Sequence, residues 1–440
     1  DVSQVYHACP EEAFDFTSSA ELEPLGLLSG HDRARAALDF GTAMRSEGYN
    51  LYVLGQPGHG KHPLVKRFLA ERSRDEPLPP DLAYRYNFEE PSQPLHLQLP
   101  TGMGRLLRAD LEQLTEELSA ALPAVFEGDE YQNRVHELKQ AMGERQRDLV
   151  EAVRREALQH DILLLSTPTG FTFAPANNDG KMMTPEAFEA LAKDDRERIE
   201  STVAILQKKL THAIRQMPRL AKQLRDQLTA LNEEMLETAI EAPRVALADR
   251  YRGHDGDLAH LASLRKAMLQ HVDAFIAEEP AISPAAIFSR FHINLLVDNT
   301  TCEGAPVVYV DLPTHQHLVG RIEHQVHNGT LVSDFSLLRA GALHRANGGY
   351  LVVDARSLLM QAGAWETLKR VLRAGEIRTE SLEKAYGMLS TTTLEPEPVP
   401  LNLKVVLLGE RRTYYLLCEH DPDFLDLFKV QADLEDTLER

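Results

Sequence analysis

The spacing of apolar residues divides the chain into three stretches. Up to about residue 124, short apolar runs alternate with helical patterns. Residues 30–40 read as a helix, Leu51-Tyr-Val-Leu54 as a strand and 63–69 as a helix. Residues 83–88 read as a second strand, and 106–122 as a helix closing at Pro123. Residues 1–29 have little periodicity and form a lead-in. From 125 to 285 the period changes. Tyr131, Val135, Leu138, Met142, Leu149 and Val153 fall at steps of three, four and seven. A longer run continues the pattern from Ile199 through Leu206, Leu210, Met217, Leu224 and Leu231 to Met235, and a third spans Leu258 to Phe275. This three–four alternation, with charge on the other faces, is a coiled-coil seam. Pro218 inside the long run predicts a kink or an interruption. Residues 162–165 and 170–173 read as short strands, with Asn177-Asn-Asp-Gly180 as a turn. After 286 continuous apolar runs return at 293–297, 306–310, 349–354 and 402–409. Such runs belong to parallel sheets covered on both faces, whose sites lie at the carboxyl ends of the strands. The pattern predicts an α/β domain in two pieces, 1–124 and 286–440, with about five parallel strands. An antiparallel coiled-coil arm, 125–285, with a small β-hairpin is inserted between them. A three-helix bundle that only packs is the plainer reading of that arm.

The first strand runs into Gly55-Gln-Pro-Gly-His-Gly-Lys61-His62. Strand, glycine turn, lysine, helix is the order a phosphate-binding loop needs. Gly55, Gly58 and Gly60 let backbone N–H groups converge, Lys61 adds a charge, and the helix amino terminus adds a partial one. The next residue departs from the pattern. A Ser or Thr there would put a hydroxyl on Mg²⁺, and the chain has His62. The competing reading is a glycine turn with a solvated lysine. Asp354, ending an apolar strand, is the residue type that holds Mg²⁺ beside such a loop, but Ala355 follows where a water-polarising acid is wanted.

Composition narrows the class. The chain has 43% hydrophobic and 26% charged residues, as an ordinary globular protein does, and a formal charge of −20 that argues against a dedicated nucleic-acid binder. Cys9, Cys302 and Cys418 are odd in number and far apart, which fits a reducing, cytoplasmic setting and no zinc knuckle. No run of eighteen apolar residues and no signal peptide is present, so no membrane anchor is expected. The chain begins at Asp1 without Met and ends without a terminal signal, which reads as a piece of a longer protein.

Several longer motifs then carry a resemblance. Gly341-Ala-Leu-His-Arg-Ala-Asn-Gly-Gly-Tyr-Leu-Val-Val-Asp354 resembles the Walker B segment of the AAA+ module in Lon-like proteases of the B-type and related bacterial branches. Leu394-Glu-Pro-Glu-Pro-Val-Pro-Leu-Asn-Leu-Lys-Val-Val-Leu-Leu-Gly409 is similar to the strand that follows, and 313–323 and 48–55 also fit. The match runs in order from about 30 to 430, around the arm. The resemblance implies ATP and Mg²⁺ as ligands, a homo-oligomeric ring of six, and polypeptide substrates passed to a Ser–Lys peptidase domain beyond Arg440. On that reading no residue of this chain is the protease nucleophile, and helical arms of this kind help capture substrate or shape the chamber entrance.

The departures from the family pattern are as informative. His62 stands at the Walker A hydroxyl, Ala355 at the Walker B glutamate, Glu410 at the sensor position and Leu427 where relatives carry an arginine finger. Losing these groups removes most of what phosphoryl transfer uses, so the site is read as degenerate. The alternatives are that Glu376 or Arg373 substitutes and the module is an ATP-driven unfoldase, or that the chain is a non-enzymatic scaffold with a vestigial site. Leu318 and Val319 are candidates for the axial pore, gripping substrate, or else part of a packed turn. His315, His317, His324 and His327 lack an acidic or thiol partner at convincing spacing and are read as loop histidines, so no metal site is expected. Trp365 is read as core, and Arg345, Arg411 and Arg412 as structural or solvated.

Overall fold

The computed structural model describes residues 12, 14–22, 30–58, 60–167, 170–177, 180–252, 255–277, 280, 282–327, 330–380 and 394–435. Most of the lead-in, His59 of the glycine loop, the middle of the 177–180 turn and Cys9 lie outside them. The chain opens with α1 (Asp32–Ala43), β1 (Leu51–Leu54), α2 (Lys61–Ser73), β2 (Asp81–Arg85), β3 (Leu95–Leu99) and α3 (Met103–Glu127). There follow α4 (Asp129–Leu158), β4 (Ile162–Thr167), β5 (Gly170–Pro175), α5 (Pro185–Glu189), α6 (Lys193–Arg250), α7 (Asp255–Gln270) and α8 (Pro284–Ser289). Next come β6 (Ile293–Val297), β7 (Val307–Val310), α9 (His315–Val319), β8 (Arg321–Ile322), β9 (Gln325–His327), β10 (Thr330–Val332), β11 (Leu338–Arg339) and α10 (Ala342–Arg345). The last elements are β12 (Tyr350–Asp354), α11 (Ala355–Leu359), α12 (Ala364–Ala374), β13 (Glu376–Ile377), β14 (Val399–Pro400), β15 (Lys404–Gly409), α13 (Arg411–His420), α14 (Phe424–Leu427) and β16 (Val430–Asp433). Two compact units result: Asp1–Glu112 with Arg290–Arg440, and Gln113–Ser289.

The first unit is built on a five-stranded sheet in the order β16-β1-β15-β12-β7, parallel throughout. Period two sorts its side chains onto two faces. Leu51, Val53, Tyr350, Val352, Val406 and Leu408 face the layer holding Ala34 and Leu38 of α1 and Val65, Phe68 and Leu69 of α2. Tyr52, Leu54, Leu351, Val353, Val405 and Leu407 face the other layer, with Leu343, Leu358, Leu368, Leu417, Phe424 and Phe428. Because both faces are covered, the inner strands are apolar at every position, which is why they read as unbroken runs. Fully burying each such side chain stabilises the unit by about 1.5–3 kcal/mol. Asn50 joins the layers at the start of β1: its amide donates to Leu427 O at 2.8 Å and accepts from Val405 N at 2.9 Å. The strand expected at 83–88 forms instead at Asp81–Arg85, and it and 293–297 lie in a separate antiparallel sheet, β3-β2-β6. There Asp81, fully buried, accepts from the backbone of Gly102, Gly104 and Asn299, fixing the turn into α3.

In the second unit α4 and α6 run antiparallel. Near the start of α4 Tyr131 meets Asn232 and Arg134 meets Glu234, whereas near its end Glu156 meets Lys209, so the partners in α6 run backwards from one end of α4 to the other. Val153, Leu164, Leu210 and Ala213 pack where the β4–β5 hairpin closes one end. Two sequence expectations need correcting. α3 continues through Pro123 to Glu127, and α6 is one 58-residue helix containing Pro218 and Pro243. A proline removes one hydrogen bond, and the long apolar stripe outweighs that local cost. Among the described residues no helix is long and apolar enough to cross a membrane.

Candidate functional site

The glycine loop leaves the carboxyl end of β1, the strand second from the sheet edge, and enters α2. Gly60 caps that helix at φ 70°, a left-handed conformation that glycine adopts without strain. Gly58 lies in the same region at φ 87°. Gly55 N is committed to Gly409 O at 3.2 Å, which staples the loop to β15. Lys61 is 7% exposed and turns back into the loop, with Nζ donating to Gly55 O at 3.0 Å. Burial pushes its pKa down, while the carboxylates of Asp354 and Glu410 oppose that shift.

Asp354 ends β12, one strand beyond β15, and caps α11 by accepting from Ser357 N at 2.8 Å. Its other carboxylate oxygen lies 3.8 Å from His62 Nε2. The far ring nitrogen of His62 is 3.1 Å from the Tyr309 hydroxyl on β7, and the two rings meet edge to face with centroids 5.9 Å apart. Three strands and a helix thus bring His62, Asp354 and Tyr309 together. The imidazole occupies the place where a Ser or Thr hydroxyl would share a cation with the aspartate. Mg²⁺ wants near-octahedral oxygen ligands, and an imidazole that is hydrogen-bonded to a phenol and stands 3.8 Å from the aspartate is not one. The residues present do not fit Mg²⁺. Ala355 is 1% exposed, in the core of the α11 turn, and offers no proton acceptor. Glu410 follows β15 and puts a second carboxylate in the field of Lys61, where a neutral side chain would suit a polyphosphate better.

Other expectations change with the structure. Leu318 and Val319 are completely buried in the core, so neither reaches a pore. Their apolar character serves the packing of α9 before the turn at Gly320. Among the described residues of this region the most exposed apolar side chain is Val326, 73% exposed on β9, with Leu312 and Val332 also exposed. Leu427 also packs inward, against the same core, so an arginine at this position would point away from solvent. Leu425 is the outward-facing neighbour. Arg373 pairs with Asp423 and Glu376 with Arg378, and neither touches Lys61 or Asp354 among the described residues. Arg411 is held within the chain by Asp433 at 2.9 Å, while Arg345 and Arg412 are exposed. His315 is buried between Thr367 and Glu380 O, His317 bonds Leu312 O, and Trp365 packs on Phe424 and Phe428. Tyr309 is the site residue that sequence reading missed. Its signal is a hydroxyl-bearing residue, 40% exposed, inside an otherwise aliphatic strand.

A five-stranded parallel sheet with a glycine loop after β1, a lysine opening α2 and an acid ending β12 defines a P-loop module of the AAA+ type. Comparison with known families agrees: a LonB-like AAA domain matches residues 303–435, and the Lon-like LonC helical domain matches 81–114. Both matched families are Lon-like, and together they cover two separate stretches of the chain. Over 107 residues it is 31% identical to a protein of Escherichia coli (strain K12) named "Putative Lon protease homolog", a match spanning 23% of this chain and 17% of that one. Structures of NtrX from Brucella abortus, one in complex with ATP, align with 48% and 52% of this chain and 44% and 47% of theirs. Their identities are 16% and 14%, and both TM-scores are 0.21.

Proposed function

We propose that this chain is the substrate-handling module of a Lon-like serine endopeptidase acting on unfolded or damaged polypeptides, working as a homo-oligomeric ring with a degenerate nucleotide site. The similarity to Lon-like families over 81–114 and 303–435 supports the first part. One observation carries the second: His62, hydrogen-bonded to Tyr309 and 3.8 Å from Asp354, stands where the metal-sharing hydroxyl belongs. Around it, Lys61 Nζ donates to a loop carbonyl, and the carboxylates of Asp354 and Glu410 stand near. A polyphosphate entering such a site meets net repulsion without a well-made metal site to relieve it. Nucleotide binding is therefore weak and hydrolysis slow, and peptide cleavage by the intact protein proceeds without ATP. Val326 takes the role of the apolar side chain that meets the polypeptide.

The test is a titration of labelled ATP, with and without Mg²⁺, against wild type and Lys61→Ala, with phosphate release measured on the longest available protein. Binding absent at millimolar ATP, alike in both proteins, is the expected result. Tight Mg²⁺-dependent binding lost in Lys61→Ala, with steady turnover, restores an ATP-driven unfoldase and overturns the reading. A full-length protein that cleaves no unfolded casein-type substrate under any condition favours the non-enzymatic scaffold instead.

A further inference from the structure

The amino-terminal end of the central sheet holds a second pocket, and we propose that it binds a small oxyanion of the phosphate class. It lies where β1, β12 and β15 begin, far along the strands from the glycine loop, and has a cavity volume of about 140 Å³. Arg45, Ser46, Asn50, Glu76, Tyr350 and Lys404 supply its polar lining. A water occupies about 30 Å³ of liquid and drug-sized ligands about 300–1,000 Å³, so this space suits a tetrahedral ion and not a nucleotide.

Charge selects the ligand. Lys404 Nζ donates to Tyr49 O at 3.0 Å, which leaves two of its N–H bonds uncommitted. Arg45, two residues past the end of α1, makes no hydrogen bond or ion pair with any described residue. The two acids on the lining do not neutralise these cations. Glu76 accepts from the Tyr350 hydroxyl at 2.6 Å and lies 3.7 Å from Arg72, and Glu47 is exposed at the rim, where Lys429 bonds its backbone carbonyl. Arg45 and Lys404 thus line one cavity in a chain of formal charge −20. Their mutual effect is visible: burial first, then Arg45, pushes Lys404 down to about 8. A guanidinium fork beside an ammonium and a serine hydroxyl is the donor set that holds an oxyanion. An anion here would remove the repulsion and tie the end of α1 to β15.

Inorganic phosphate is the probe, titrated calorimetrically into the 440-residue chain at pH 7, with sodium chloride at matched ionic strength as control. Carrying Lys61→Ala in every sample keeps the glycine loop out of the signal. Saturable binding of phosphate is expected, at least tenfold weaker in Arg45→Gln and partly restored in Arg45→Lys. At pH 8, proton uptake should accompany binding as Lys404 recovers its charge, and Lys404→Gln should abolish that uptake. Arg45 is exposed, so its variants fold, and the decision rests on them. A phosphomonoester run in parallel separates a free ion from the phosphate group of a metabolite; binding of either upholds the proposal. Phosphate binding unchanged in Arg45→Gln, or a response that chloride reproduces, overturns it.

Discussion

His62 has a neighbour at each ring nitrogen, the Tyr309 hydroxyl at 3.1 Å and, farther off, the Asp354 carboxylate at 3.8 Å. Replacing it with Thr frees both partners and supplies the missing oxygen ligand. His62→Thr should therefore tighten Mg-nucleotide binding by on the order of tenfold, about 1.4 kcal/mol, and make it Mg²⁺-dependent. Equal affinity with and without EDTA in the variant would show that His62 is not what blocks the site. His344 offers a stability readout at the same scale. It is 1% exposed, its Nδ1 accepts from Gly341 N at 3.3 Å, and burial holds its pKa down at about 4. The unfolded chain takes up this proton near pH 6.5 and the folded chain only near 4. Its contribution is therefore complete above about pH 6.5 and is lost as pH falls toward 4, by roughly 3 kcal/mol. His344→Asn keeps the acceptor and removes the titration, so its unfolding midpoint should fall less steeply over that range. Lys61 and Asp354 were legible from spacing alone. Tyr309 was not, because it reaches the loop from 247 residues away and only strand order brings it there.

Elements differ in how openly they announce themselves. β12 and β15 were plain in the sequence because sheet neighbours and helix layers bury nearly every side chain. β16, Val-Gln-Ala-Asp at the sheet edge, alternates buried and less buried positions over only four residues and gave no signal. The same logic explains the misplaced pore residues: Leu318 and Val319 are apolar because they fill the core. Val326 is the better test of substrate contact. Val326→Asp should slow degradation of an unfolded protein several-fold in the intact enzyme while leaving cleavage of a short peptide unchanged, and parallel loss of both activities would assign Val326 a structural role. In α6, Pro218 is exposed and sits inside a continuous helix. Pro218→Ala restores an N–H donor, and the unfolding midpoint should rise by an amount corresponding to as much as ~3 kcal/mol. A fall would mean that the helix is shaped around the proline.

At the scale of the molecule, two units with separate cores predict two steps in thermal unfolding, seen by calorimetry as resolvable transitions. One shared, single transition would contradict independent cores. The three-part division of the sequence rested on a change of apolar period, and a period reports each element's own burial, not the order in which strands meet. That order has a consequence for synthesis. β1 is made early, yet it lies between β15 and β16, and Asn50 at its start bonds Val405, 355 residues later. At about 5–20 residues per second, the nascent strand waits roughly 20–70 s for its neighbours. Gln113–Ser289, whose contacts are nearer in sequence, can close in that interval. Until then Leu51-Tyr-Val-Leu54 leaves the ribosome as an unpaired apolar edge, the kind of segment a chaperone must shield.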